Sequence, residues 1–136
     1  MPEWKWRLLQ YVSPAPAGRK AIEDWRKSLP VGSPRADLDA FLRVMAKKME
    51  WSYPDIGSLK GKKYKGLSEL RWRSGNVPYR IIGYTSEDHV YVMLIGCTHN
   101  GRKYDPPDAL QSAVDRNNRV SKREATTCEY PLLTDR

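Results

Sequence analysis

Cysteine, histidine and phenylalanine are scarce in this chain of 136 residues, which holds two, two and one of them. Cys97 and Cys128 lie far apart, with no Cys-x-x-Cys spacing and no paired histidine. That pattern excludes a recognisable zinc module or disulfide framework and predicts reduced, cytoplasmic thiols. Long apolar runs are also missing, the longest being the short block that ends at Cys97. The opening Met1-Pro2-Glu3-Trp4-Lys5-Trp6 contains an acid and no apolar signal core, so neither a secretory signal nor a membrane contact is expected, and the predicted location is cytoplasmic. A chain of this length buries about two thirds of its unfolded surface and requires no staple to hold one core.

Acidic residues are in deficit too, 16 against 24 Lys+Arg, for a net charge of +8. The excess is concentrated. Between residues 58 and 82, Lys60, Lys62, Lys63, Lys65, Arg71, Arg73 and Arg80 face Glu69 alone. Such a run is either a solvated face or a surface for a polyanion, whose counterions are released on binding. Lys62-Lys63-Tyr64-Lys65 lies between Gly61 and Gly66 and leads straight into a strand pattern, which favours the second reading.

Residues 70–73, 79–85 and 90–97 read as three consecutive strands. In Glu69-Leu70-Arg71-Trp72-Arg73 the period of two puts Leu70 and Trp72 on one face and Glu69, Arg71 and Arg73 on the other. Ser74-Gly75-Asn76 and Ser86-Glu87-Asp88 supply the turns. Residues 90–95 are apolar without alternation, the mark of a central strand covered on both faces.

Earlier in the chain, residues 4–12 form a candidate first strand that stops at Ser13-Pro14. Residues 18–29 carry Ile22, Trp25 and Leu29 at helical spacing. Ser33-Pro34 predicts an N-cap and a first-turn proline for a second helix striped by Leu38, Phe41, Leu42, Met45 and Met49. That stripe is read as core. Residues 52–66 and 98–107 read as loops, residues 108–120 as a short helix, and residues 121–136 as a loose polar tail to a domain spanning 1–120. The predicted class is α+β, with cationic side chains on the sheet face that the helices leave open.

Leu67-Ser68-Glu69-Leu70-Arg71-Trp72-Arg73, then Tyr79-Arg80-Ile81-Ile82-Gly83-Tyr84, then Val92-Met93-Leu94-Ile95-Gly96-Cys97, resemble in order and spacing the RelE/ParE toxin superfamily, most closely its HigB-like, phage-derived branch. Leu59-Lys60-Gly61 and the Pro106-to-Ala109 run fit as well. The order of elements matches over residues 4–120, while the motifs are confined to 59–113. The resemblance implies a RelE-like fold and the toxin of a type II toxin–antitoxin pair. Members include ribosome-dependent mRNA endoribonucleases (mRNA interferases) and, in the ParE branch, gyrase inhibitors. It implies a cognate antitoxin, of helix-turn-helix type in the HigB-like branch, with the ribosome and mRNA as further partners and no cofactor or metal.

RNA cleavage of that kind needs a base for the ribose 2′-OH, cations for the phosphorane and an acid for the 5′-oxygen. Arg71 matches the arginine of the family's Glu-Leu-Arg and would be the phosphate clamp. Arg80 is a second clamp or a structural partner of Glu69. Many HigB-like relatives carry Lys-Lys where this chain has His99-Asn100, a departure that makes His99 either the proton-transfer group or an exposed loop residue without a role. This also leaves open a degenerate module that binds nucleic acid without cutting it. Lys60, Lys62, Lys63, Lys65, Arg73, Arg102 and Lys103 would bind RNA phosphates, and Tyr64 or Tyr104 would stack on a base.

Overall fold

The computed structural model describes residues 4–132. Its centre is the strand Val90–Asn100, buried at every position from Val90 to Cys97, as the unbroken apolar run predicts. In chain order the elements are β1 (Arg7–Val12), α1 (Ala21–Ser28), α2 (Ser33–Lys47), β2 (Ile56–Ser58), β3 (Ser68–Ser74), β4 (Val77–Glu87), β5 (Val90–Asn100), β6 (Lys103–Asp105), α3 (Ala109–Ser121) and β7 (Thr126–Glu129). A 3-10 turn lies at Lys62–Tyr64. The strands make one mixed sheet in the order β2-β3-β4-β5-β1-β7, with β6 paired to β5 beside that path. β3, β4 and β5 are the expected antiparallel meander, while β1 runs parallel to β5 and β7 antiparallel to β1. The class is α+β.

Two cores lie on the two faces of this sheet. On one, Leu38, Leu42 and Met45 of α2 and Ile22 of α1 pack on Leu8, Leu70, Ile81 and Met93. Trp72 is stacked between Phe41 (4.7 Å between ring centroids) and Tyr79 (5.8 Å), so Leu70 and Trp72 do share the buried side of β3. On the other, Ala109 and Ala113 of α3 lie against Ile82, Val92, Leu94 and Cys97. The face expected to be open is therefore partly roofed by α3. Only its β3–β4–β6 end stays accessible.

The helices are tied by polar contacts that the sequence left unassigned. Gln10, fully buried in β1, accepts hydrogen bonds from the Ile22 and Glu23 N–H groups (3.1 and 3.0 Å) and donates to the Glu23 carboxylate (2.7 Å). It caps α1 from a neighbouring strand, since Lys20 at the N-cap makes no side-chain cap. Arg26 of α1 donates both Nε and Nη2 to Asp39 of α2 (2.8 and 2.7 Å). Arg35 donates to the Leu29 and Lys27 carbonyls (3.0 and 2.7 Å), capping the other end of α1.

Six expectations are corrected. Gly32, at φ 111°, is the N-cap of α2 rather than Ser33, because glycine alone takes that conformation without strain. Met49 lies past the end of α2 and is 60% exposed, outside the stripe. Residues 98–107 are not a plain loop: β5 continues to Asn100 and turns into β6. Thr126–Glu129 is not loose, because β7 pairs with β1 and Arg7 Nε donates to Glu129 (2.8 Å); residues 133–136 of the expected tail lie outside the described residues. The first strand begins at Arg7, and the loop of residues 52–66 contains the short β2. No helix among the described residues is long and apolar enough to cross a membrane.

Gln10→Leu keeps the volume but removes the acceptor for two buried helix N–H groups. It lowers the unfolding free energy by about 1–3 kcal/mol in denaturant titration. A variant within about 0.5 kcal/mol of the wild type would show that the cap contributes nothing.

Candidate functional site

Period-two alternation in β3 sends Glu69 and Arg71 to the side away from Trp72, and the strand register brings their partners. Arg71 lies directly across from Arg80 on β4, and Arg80 across from Cys97 on β5. Two guanidinium groups in facing positions repel unless an anion lies between them. Glu69 is that anion: 4% exposed, it accepts from Arg71 Nε at 3.0 Å and lies 3.6 Å from Arg80 Nε. Its second oxygen accepts from the Tyr104 hydroxyl at 2.8 Å. Tyr104 arrives through the β5–β6 hairpin, where it pairs with His99 and the two rings stack at 4.4 Å between centroids.

The backbone shapes the clamp as much as the side chains do. Asp55 of the loop before β2 accepts the Arg71 N–H (2.8 Å), which seats β2 alongside. A Cβ at Gly57 would overlap the Arg71 guanidinium, so bare backbone is what leaves room for it. Arg80 donates Nη1 to the Tyr79 carbonyl (2.9 Å), while its buried Nε has no hydrogen-bond partner.

Electrostatics set the protonation of the cluster. Burial lowers the Arg80 pKa, opposed by Glu69 and reinforced by Arg71. Burial first, then its hydrogen bond to Glu69, raises the Tyr104 pKa well above the ordinary phenol range, so the hydroxyl remains a proton donor. Burial and the nearby Glu69 push the Cys97 thiol up to about 12, which removes it as a nucleophile near neutrality. Arg71 and Arg80 against the one carboxylate of Glu69 leave these three groups with an excess positive charge. Among the described residues, no group of three or more His, Cys, Asp or Glu side chains is placed to hold a metal ion.

Of the residues singled out in the sequence, Arg71, Arg80, His99 and Tyr104 are gathered at this one end of the sheet. Arg102 in the adjoining β5–β6 turn and Lys103 at the start of β6 are exposed. Lys60, Lys62, Lys63 and Lys65 are exposed on the segment between β2 and β3. Tyr64 is half-buried against the α3-side core with Lys63 Nζ 5.9 Å from its ring centroid. Arg73 points away, donating to the Asn76 carbonyl in the β3–β4 turn (3.2 Å). Glu69, the centre of the cluster, was read only as a charge partner of Arg80. The signal for more was its i, i+2 spacing to Arg71 on one strand face.

Glu69→Ala leaves two facing arginines without their counter-charge. Because those arginines are partly solvated, stability falls by about 2–3 kcal/mol in denaturant unfolding, and Glu69→Gln, which still accepts from Tyr104, loses less. Equal stability of Glu69→Ala and wild type would remove Glu69 from the centre of the site.

No protein-family model, curated protein or solved structure matches this chain.

Proposed function

We propose that this chain is a RelE/ParE-superfamily toxin of the HigB-like branch, with a RelE-like fold, that cleaves mRNA on the ribosome as the toxin of a type II toxin–antitoxin pair. The observation that carries the reading is the meeting of Arg71, Arg80 and Tyr104 on Glu69, with His99 stacked on Tyr104. Arg71 and Arg80 bind the scissile phosphate and stabilise the charge that builds on the phosphorane. His99 takes the 2′-OH proton as the 2′-oxygen bonds to phosphorus. Tyr104, kept protonated by its surroundings, gives a proton to the departing 5′-oxygen as the P–O5′ bond breaks. A 2′,3′-cyclic phosphate and a free 5′-hydroxyl result. The exposed lysines of residues 60–65 hold flanking RNA or ribosomal phosphates. A cytoplasmic antitoxin of helix-turn-helix type silences the toxin.

A ParE-like gyrase inhibitor would have no use for such convergence. A module that binds nucleic acid without cutting it is favoured by one observation, His99-Asn100 in place of Lys-Lys. Induced expression separates the readings. The nuclease arrests growth, primer extension on a reporter mRNA finds cuts within translated codons, and the adjacent antitoxin frame restores growth. Arg71→Ala, still folded by circular dichroism, loses cleavage by about 100-fold or more, and His99→Ala and Tyr104→Phe by about 100- to 10,000-fold. Intact mRNA in cells expressing the wild type, or normal cutting by all three variants, would sink the proposal.

A further inference from the structure

A cavity of about 280 Å³ opens between the end of β1 and α3, lined by Tyr11 and Ser13 on one side and by Ser112, Asp115, Arg116 and Arg119 on the other. Residues 112, 116 and 119 recur at spacings of four and three, so one face of α3 presents them together. β5 lies between β1 and β4, which sets this cavity apart from the Arg71–Arg80 pair. Arg116 is fixed here without a counter-charge. Its Nη1 donates to the Leu94 carbonyl (2.7 Å), and its guanidinium carbon lies 5.1 Å from the centroid of the Tyr11 ring. These contacts orient the fork and use one of its five N–H donors. Burial lowers the Arg116 pKa; Tyr11 and Asp108 oppose that shift and Arg119 adds to it. Arg119, one turn further on, is exposed, and its side chain makes no hydrogen bond or ion pair among the described residues. Asp115, the acid on the lining, accepts from Gln111 Nε2 (2.9 Å) and pairs with neither arginine. Ser13 Oγ accepts from the Arg19 N–H (2.8 Å), which leaves its own O–H free to donate, and the Ser112 hydroxyl has no partner among the described residues.

We infer that this cavity binds a phosphoryl group, carried either by inorganic phosphate and its monoesters or by the backbone of an RNA. The site goes beyond the RNA reading above and does not depend on it. Two arginines against the single acid Asp115 leave the lining positive, and an anion supplies the counter-charge that Arg116 lacks. Guanidinium donors come from the helix, and hydroxyls from both the helix and the end of β1. Donors on two sides suit the tetrahedral oxygens of a phosphoryl group better than the planar pair of a carboxylate. The volume is just under the roughly 300–1,000 Å³ of drug-sized ligand sites, which leaves room for the phosphoryl group and part of what carries it.

The full chain is titrated at constant ionic strength with inorganic phosphate and, separately, with a short single-stranded RNA, while NMR follows the Ser13 and Ser112 amides and the Arg116 Nε–H. These three resonances shift together along one saturable curve. A shift with phosphate assigns the site to free phosphate and its monoesters, and a shift with RNA alone assigns it to a backbone phosphate. Arg119→Gln, with an unchanged melting temperature, weakens that binding by about 10-fold or more, and Ser112→Ala weakens it by a smaller factor. Arg71→Ala leaves the three shifts in place. Binding by Arg119→Gln within about threefold of wild type, or equal shifts when chloride replaces phosphate, overturns the site. Disappearance of the shifts in Arg71→Ala overturns a site separate from the clamp. Still resonances with both probes overturn the inference even where Arg71 and Arg80 respond to RNA, so it can fail while the RNA reading stands.

Discussion

Two arginines face one another across β3 and β4, and one buried carboxylate allows it. Without Glu69 the Arg71–Arg80 pair would be a like-charge contact partly withdrawn from water, which costs stability. With it, both guanidiniums are held at one end of the sheet, and the same carboxylate accepts from Tyr104. The arrangement exchanges some stability for pre-organised donors. Arg80 Nε, buried and 3.6 Å from the Glu69 carboxylate, makes an ion pair with it but no hydrogen bond.

The rest of the fold explains why that end of the sheet stays reachable. α1 and α2 fill the Trp72 side, and α3 covers the Ile82, Val92 and Leu94 region of the opposite side. Arg116 of α3 anchors this roof by donating to the Leu94 carbonyl (2.7 Å), at the bulge where β5 has one residue more than β4 between Ile82 and Gly83. A Cβ at Gly83 would overlap the Val92 carbonyl, so the bulge depends on glycine there. Beyond α3 the sheet face is bordered by β6 and β2, both of three residues, and by the segment between β2 and β3, whose Leu59 and Tyr64 pack on the α3-side core.

Alternation and apolar run length made the meander, the central strand and the two early helices legible, because each depends on local periodicity. The face assignment of Leu70, Trp72 and Arg71 was legible for the same reason. What was not legible depends on pairings distant in sequence. β7 is four polar residues whose strand identity comes from β1, some 120 positions away. Gln10 as the cap of α1 has no local signature. The placing of Tyr104 against Glu69 requires the β5–β6 hairpin, which Gly101 at φ 64° and β6 create within a segment that reads as loop. His99 was picked out as a place in the chain, but its stacking on Tyr104 belongs to the hairpin.

We propose that Arg71 and Arg80 act together as a phosphate clamp held by Glu69. This clamp is tested most directly by following the two arginine Nε–H resonances by NMR while adding a non-cleavable 2′-O-methyl RNA. Both resonances are expected to shift along one saturable binding curve, and inorganic phosphate at high concentration to compete for the same shift. Resonances that stay in place while RNA binds elsewhere, or that move with unrelated affinities, would contradict it.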